Sequence, residues 1–268
     1  MRHQLHRKTA RERGIIHPVK GKGAPTVGPD AIMVMIASEL RYLVRVSMAQ
    51  EIPFNEMSIY HLFQTKKGAD IPLTLSGPFL GAPHATIGME KLIVLGAKRI
   101  WVLGWCASLQ SDLRIGQVVI PTSAVSEEGT SSHYPISGHT PESDAEMTLA
   151  LEDALERRRT AFSKGWVWTT DALYRETPQK VLHYQKRGVL AVEMEMSALM
   201  TLALYRSVAM AGLMVVSDEL FDLKWRPGFS NSLLKKNSRV AGEVLLELAC
   251  SLSQSVIRAS KPSTVGDE

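Results

Sequence analysis

The sequence predicts an α/β domain, and three observations carry the prediction. Short apolar runs at 31–36, 99–103 and 211–216 are almost free of charge, as strands buried on both faces are. They alternate with longer segments of helical character, among them 84–95 and 196–206. Gly- and Pro-containing turns separate the two kinds, so the order is strand, helix, strand throughout. With 268 residues and 45% hydrophobic content the chain can bury a substantial core, and a single domain is expected. Cys106 and Cys250 are too few for a disulfide framework and have no metal-ligand spacing. No metal or cofactor is therefore expected, and a reducing cytoplasm is the natural compartment.

Residues 1–30 read as a basic arm and linker ahead of a domain at 31–260. Residues 1–22 carry seven basic side chains (Arg2, Arg7, Lys8, Arg11, Arg13, Lys20, Lys22) against one acid, Glu12. The other 24 basic and 26 acidic residues leave the globular part close to neutral. Without interleaved aromatics the arm reads as a solvated or subunit-bridging tail rather than a nucleic-acid contact. No apolar run follows the first basic residues, so the N-terminus does not read as a secretory signal. The linker, KGKGAPTVGPD at 20–30, is rich in Gly and Pro.

AIMVMI at 31–36 is the first strand, and Ser38 is placed as N-cap of a helix through Leu40, Leu43 and Val44. Ile71 to Leu75 is the next buried strand. Gly77-Pro78 and Gly81-Ala82-Pro83 then form a loop in which backbone can approach a ligand. His84 to Leu95 is a helix closed by Gly96. The strand at 99–103 is expected to end in the polar and small residues Gly104 to Ser108, and 117–120 is a further strand. Ser143 to Arg159 is amphipathic and helical, Trp166 to Thr170 is a strand, and Leu233 to Ile257 is a long terminal helix.

The chain is organised around 188–220, GVLAVEMEMSALMTLALYRSVAMAGLMVVSDEL. Glu193/Glu195 and Asp218/Glu219 bracket an apolar segment whose one charge is Arg206. As a membrane span it would carry that Arg near its centre, at about 2.5 to 3.5 kcal/mol. As a buried helix and strand it places Glu193 to Glu195 at a strand-to-helix corner. Asp218 then falls just past a strand's carboxyl end, where α/β sheets bind ligands. A Glu at such a corner also has a purely structural role, since the helix dipole favours acids there.

The segments LGAKRIWVLGWCASLQSDLRIGQVVIPTSAV (95–125), EEGTSSHY (127–134), WTTDALYRET (168–177), AVEMEMSAL (191–199) and VVSDEL (215–220) occur in this order in the chain. Together they resemble the nucleoside phosphorylase and nucleosidase superfamily, which includes uridine phosphorylase and the hexameric purine nucleoside phosphorylases. The long form of the 168–177 segment resembles a bacterial branch of that superfamily. The resemblance implies a three-layer α/β/α sandwich around a mixed, partly barrel-like sheet, and cleavage of an N-glycosidic bond, by default phosphorolytic, with hydrolysis as the first alternative and nucleoside binding without catalysis as the second. It implies that Glu195 accepts hydrogen bonds from ribose hydroxyls, that Met194 packs on the sugar, and that Glu193 lines the base end or supports the corner. Asp218 would protonate the leaving base. Trp105, Ser108, Asp171, Leu173 and Arg175 are further substrate-binding candidates, with an Asp171–Arg175 ion pair as the structural alternative.

Gly81 and Gly104 are the candidates for phosphate. The family's phosphate-binding Arg and hydroxyl residue are replaced here by Val102 and Trp105, a loss shared with the hydrolytic nucleosidases. Those enzymes orient water with a carboxylate in the first strand-helix loop, for which Glu39 is the candidate; an ordinary first-turn Glu is the alternative. The expected partners are a nucleoside or base and, in the phosphorolytic case, phosphate, within a homo-oligomer, a dimer or a hexamer, and no membrane.

Overall fold

In the computed structural model, residues 14–53, 59–65, 72–136 and 138–260 are described, with side chains to residue 251. The first apolar run forms β1 (Asp30–Val34), buried at every position, and leads into α1 (Ala37–Val46). Two short strands, β2 (Gln50–Glu51) and β3 (His61–Gln64), precede β4 (Thr74–Gly77) and α2 (Ala82–Leu95). Two long strands follow, β5 (Arg99–Ser108) and β6 (Val118–Glu127), then α3 (Ala145–Arg157) and β7 (Phe162–Thr170). The chain continues through α4 (Pro178–Lys186), β8 (Ala191–Glu193), α5 (Met196–Arg206), β9 (Ala209–Glu219), β10 (Arg226–Pro227) and α6 (Ser232–Ser260).

All ten strands share one sheet in the order β10-β9-β6-β7-β8-β5-β1-β4-β3-β2, and a further β9–β5 pairing closes five of them into a barrel. The mixed, partly barrel-like sheet expected above is therefore present. α2 and α5 cover one face, where Met89, Leu92, Leu199 and Met200 pack with Met33 and Val102. α1, α3 and α6 cover the other, where Leu43, Leu151 and Val244 meet Trp101 and Leu213. These are the three layers. α4 closes one end of the barrel through Val181 and Tyr184.

Several expectations change in the structure. The 196–216 segment is a buried helix followed by a buried strand, and no helix among the described residues is long and apolar enough to cross a membrane. Ser38 is not the α1 cap: Ile36 holds that position and the Ser38 hydroxyl donates to Glu39 Oε1 at 3.1 Å. β5 does not stop at Leu103 but runs on to Ser108, because β9 on one side and β8 on the other satisfy its backbone. β9 likewise extends to Glu219, so Asp218 lies within the strand. Ile71, assigned to a strand, lies outside the described residues, as do Arg2, Arg7, Lys8, Arg11, Glu12 and Arg13 of the arm.

The linker is not detached from the domain. Val27 is buried and its N–H donates to Leu95 O at 3.1 Å, while the Lys91 ammonium of α2 donates to Val19 O at 2.6 Å.

Candidate functional site

The corner between β8 and α5 is built by Glu193. Its Oε2 accepts from the N–H groups of Glu195 (2.6 Å) and Met196 (2.7 Å), two of the donors that a helix N-terminus leaves without partners. Its Oε1 accepts from the Thr169 hydroxyl of β7, and that same hydroxyl oxygen accepts from Ser197 N at 2.9 Å. Below it, Glu128 accepts from the Ser126 and Ser197 hydroxyls at 2.7 and 2.9 Å. Burial raises Glu128, but hydrogen bonds from Ser131, Ser126 and Ser197 outweigh that and hold it below the ordinary carboxylate value. Glu193 is thus hydrogen-bonded into the corner through both of its carboxyl oxygens.

Glu195 is the N-cap residue of α5, and its Oε1 accepts from Gly81 N at 2.6 Å. Gly81 stands at φ 80°, a conformation that favours glycine, and begins α2. A candidate sugar ligand and a candidate phosphate ligand, 114 residues apart, are thus in direct contact. Met194, between two buried carboxylates, is only partly buried.

Asp218 is placed by a bulge. Across β5, Cys106 faces Val216 but Ala107 faces Asp218, so Ser217 is an extra residue on β9. Ser217 spends its hydroxyl on Asp218 Oδ1 at 2.6 Å and shares it with Cys106 O at 3.3 Å. Trp225 Nε1 donates to Asp218 Oδ2 at 2.9 Å. On the far side of β5 the same Ala107 pairs with Val192 of β8. Asp218 and the Glu193 corner therefore flank one strand at one level, about 10 Å apart by strand spacing. Between them the buried Cys106 thiol is raised well above its ordinary value, first by burial and then by the Asp218 and Glu193 charges.

The remaining candidates divide. Asp171 accepts from Gly129 N at 2.9 Å, and among the described residues no ion pair joins it to Arg175. Asp171, Leu173 and Arg175 lie exposed on the segment between β7 and α4. Ser108 is fully buried and donates to Gln110 O at 2.9 Å. Gly104 lies inside β5, where a Cβ would meet Met214 Sδ at 2.5 Å. Trp105 points toward α6: its indole donates to Ser238 Oγ at 2.9 Å and stacks on Phe229 at 6.1 Å. Glu219 is bound by Arg114 at 2.9 Å and by Ile115 N at 3.0 Å.

Glu176 was missed by sequence reasoning. Half-buried beside the 173–175 turn, it is pushed up to about 7 by burial and by the Asp218 charge, which brings a further carboxyl to the Asp218 end. Its signal was Thr177-Pro178, a cap followed by a first-turn proline, which starts α4 and fixes the residue before it. Glu39 is buried with Oε2 lacking a hydrogen-bond partner, and burial raises it despite the Ser38 hydroxyl and the Arg239 and Lys235 charges.

Burial pushes Glu193 up to about 7 and Glu195, beside the Glu193 charge, to about 8. Glu193 has three donors and is the better anion; Glu195 is the better holder of a proton. The folded protein thus retains protons that the unfolded chain releases above about 4.5. That stabilisation is full below pH of about 4.5 and is lost as pH rises through about 7 to 8. We expect the Tm of the unliganded protein to fall between pH of about 5.5 and 9, with a shallower fall in Glu195→Gln. Calorimetry showing the same slope in both proteins contradicts the assignment.

The sequence profile described as "Phosphorylase superfamily" matches residues 31–252. A guanosine phosphorylase of Halorubrum lacusprofundi is 29% identical over 153 residues, which span 57% of this chain and 63% of that relative. A DeoD-type purine nucleoside phosphorylase of Myxococcus xanthus is 28% identical over 66% of this chain and 72% of its own length. Among solved structures, the purine nucleoside phosphorylase of Toxoplasma gondii superposes with a TM-score of 0.77 at 24% identity, covering 91% of this chain and 99% of that one.

Proposed function

The chain belongs to the phosphorylase superfamily, and from that premise we propose that it cleaves the N-glycosidic bond of a purine riboside. One observation carries the reading: two buried carboxyls, Glu195 and Asp218, are held by separate networks around β5. Glu195, bonded by the backbone of Gly81 and Met194, has acceptor capacity left for two vicinal hydroxyls. Asp218 serves the base. As the C1′–N9 bond breaks, its electron pair goes to N9, a proton that Asp218 takes up once substrate covers it goes to N7, and the base leaves neutral. An oxygen of the acceptor forms the new bond to C1′ as oxocarbenium character develops there; when the acceptor is water, an O–H bond breaks and the released proton restores the acid form of Asp218. The purine preference follows the two relatives above; Glu176 supplies a second carboxyl at the base end.

Water is the acceptor that the side chains favour. Val102 is fully buried in the core and Trp105 is committed to Ser238 and Phe229, so neither offers phosphate a donor. Loss of one charged contact weakens phosphate by roughly 100-fold. The unpartnered oxygen of Glu39 supports the same reading, as a carboxyl at the first strand-helix corner that can orient water. We expect cleavage of purine ribosides with little dependence on millimolar phosphate, and isotopically labelled oxygen from water in the released sugar. The second reading, phosphorolysis, is favoured by the names of the relatives, and Lys235 and Arg239 near Glu39 would be its cations. Saturable phosphate dependence with a sugar 1-phosphate product would establish it in place of hydrolysis.

A further inference from the structure

Asp218 is only 8% exposed, yet the group on its Oδ2 is the indole N–H of a residue that is 63% exposed, Trp225. An exposed indole satisfies its N–H with water at no cost, so something must hold this one inward. The backbone does part of it. After Glu219 the chain turns and comes back as β10, with Arg226 opposite Glu219 and Pro227 opposite Asp218. Gly228 N donates to Ser217 O at 2.8 Å, which locks the returning strand against the bulge. Inside the turn, Leu223 N donates to Leu220 O at 2.9 Å, and Asp222 binds the Arg226 guanidinium. Side chains do the rest. The Trp225 ring leans on Phe229 at 6.3 Å, Phe229 stacks on Trp105, and Trp105 is anchored to Ser238 of α6.

We propose that Trp225 is a positioning residue for the proton-donating carboxyl. Its indole N–H and the Ser217 hydroxyl hold Asp218 by one oxygen each and fix the carboxyl plane toward the base. This rests on the reading of Asp218 as the group that protonates the leaving base. The two donors favour the anion of Asp218 in the open site, so the proton is taken up when substrate covers the carboxyl, and a place is left for it. A carboxylate has about four lone-pair sites, and two donors leave one free on each oxygen to carry the transferable proton. A carboxyl free to rotate presents that proton at the base nitrogen only part of the time, which lowers kcat and leaves ground-state binding intact. The Trp105–Phe229–Trp225 row also gives Trp105 a function, as the inner support of the ring that holds Asp218.

The test compares a purine riboside with its N7-methyl derivative, whose ring already carries the positive charge and leaves neutral without a proton. In the full-length protein, Trp225→Phe keeps a ring against Phe229 and removes only the donor. We expect kcat for the unmethylated riboside to fall about tenfold or more with KM within about twofold, and a several-fold smaller loss for the N7-methyl substrate. Phe229→Ala, which keeps the N–H but removes the ring it leans on, should give a smaller loss with the same substrate dependence. Equal losses on both substrates make Trp225 structural and overturn the proposal. A raised KM with kcat kept makes Trp225 a wall of the binding site and also overturns it. Asp218→Asn, measured alongside, separates the two levels. If it fails to discriminate the substrates, the general-acid reading has failed; if it discriminates and Trp225→Phe does not, only the role of Trp225 has failed.

Discussion

Asn in place of Asp218 lowers the turnover of purine ribosides about 100-fold or more, the loss expected when a positioned general acid can no longer deliver a proton. The surroundings allow this substitution without collapse. Ser217 donates to one oxygen and Trp225 to the other, so an amide presents one oxygen to the indole and its NH2 to the hydroxyl. The Ser217 oxygen has lone pairs and turns from donor to acceptor, while the indole N–H keeps its partner. The shape is unchanged and no buried polar group is orphaned, so Tm and KM are expected to move little. The loss belongs to kcat and kcat/KM together, the pattern of an interaction made only in the transition state. Steady-state kinetics on a purine riboside checks it. An unchanged kcat would make the Ser217–Asp218–Trp225 cluster a device for closing the end of β9.

Where periodicity and charge speak for themselves, the sequence carried the architecture. The nearly chargeless runs in β1, β5 and β9 are buried because the sheet has helices on both faces, and a run of that kind has no other stable place. The strand ends were harder to place. Gly104 to Ser108 look like a polar loop in isolation, but β8 and β9 supply hydrogen bonds on both edges and keep the segment extended. No local signal reports a partner that lies more than 80 residues away. Glu193 and Asp218 were visible as acids in an apolar context. What each of them is bonded to depends on Thr169, Ser197 and Trp225, none of them adjacent to the acid it serves. Trp105 shows the opposite limit. A large aromatic at a strand end reads either as core or as a stacking surface for a base, and the sequence does not choose; strand alternation puts Trp105 on the α6 side of the sheet, with Trp101 and Leu103.

Loss of the Glu195 carboxylate weakens ribosides far more than free bases, by about 2 to 4 kcal/mol if two charged hydrogen bonds to the sugar are lost, or roughly 30- to 1000-fold in Kd. Glu195→Ala also leaves the Gly81 N–H without its acceptor in a buried position, so part of its effect reads as lost stability. Glu195→Gln keeps that acceptor and isolates the charge. The proton on Glu195 adds a pH signature. Burial, reinforced by the Glu193 charge, holds Glu195 protonated up to about pH 8 in the unliganded protein. Two hydroxyls donating to it favour the anion, so riboside binding near neutral pH releases a proton. Riboside affinity therefore rises with pH, by at most tenfold per unit, and levels off above about 8, while free-base affinity lacks this component. In Glu195→Gln the rise disappears. Calorimetric titration in two buffers of different ionisation enthalpy reads the released proton directly, and equal proton release by riboside and base would remove Glu195 from the sugar site.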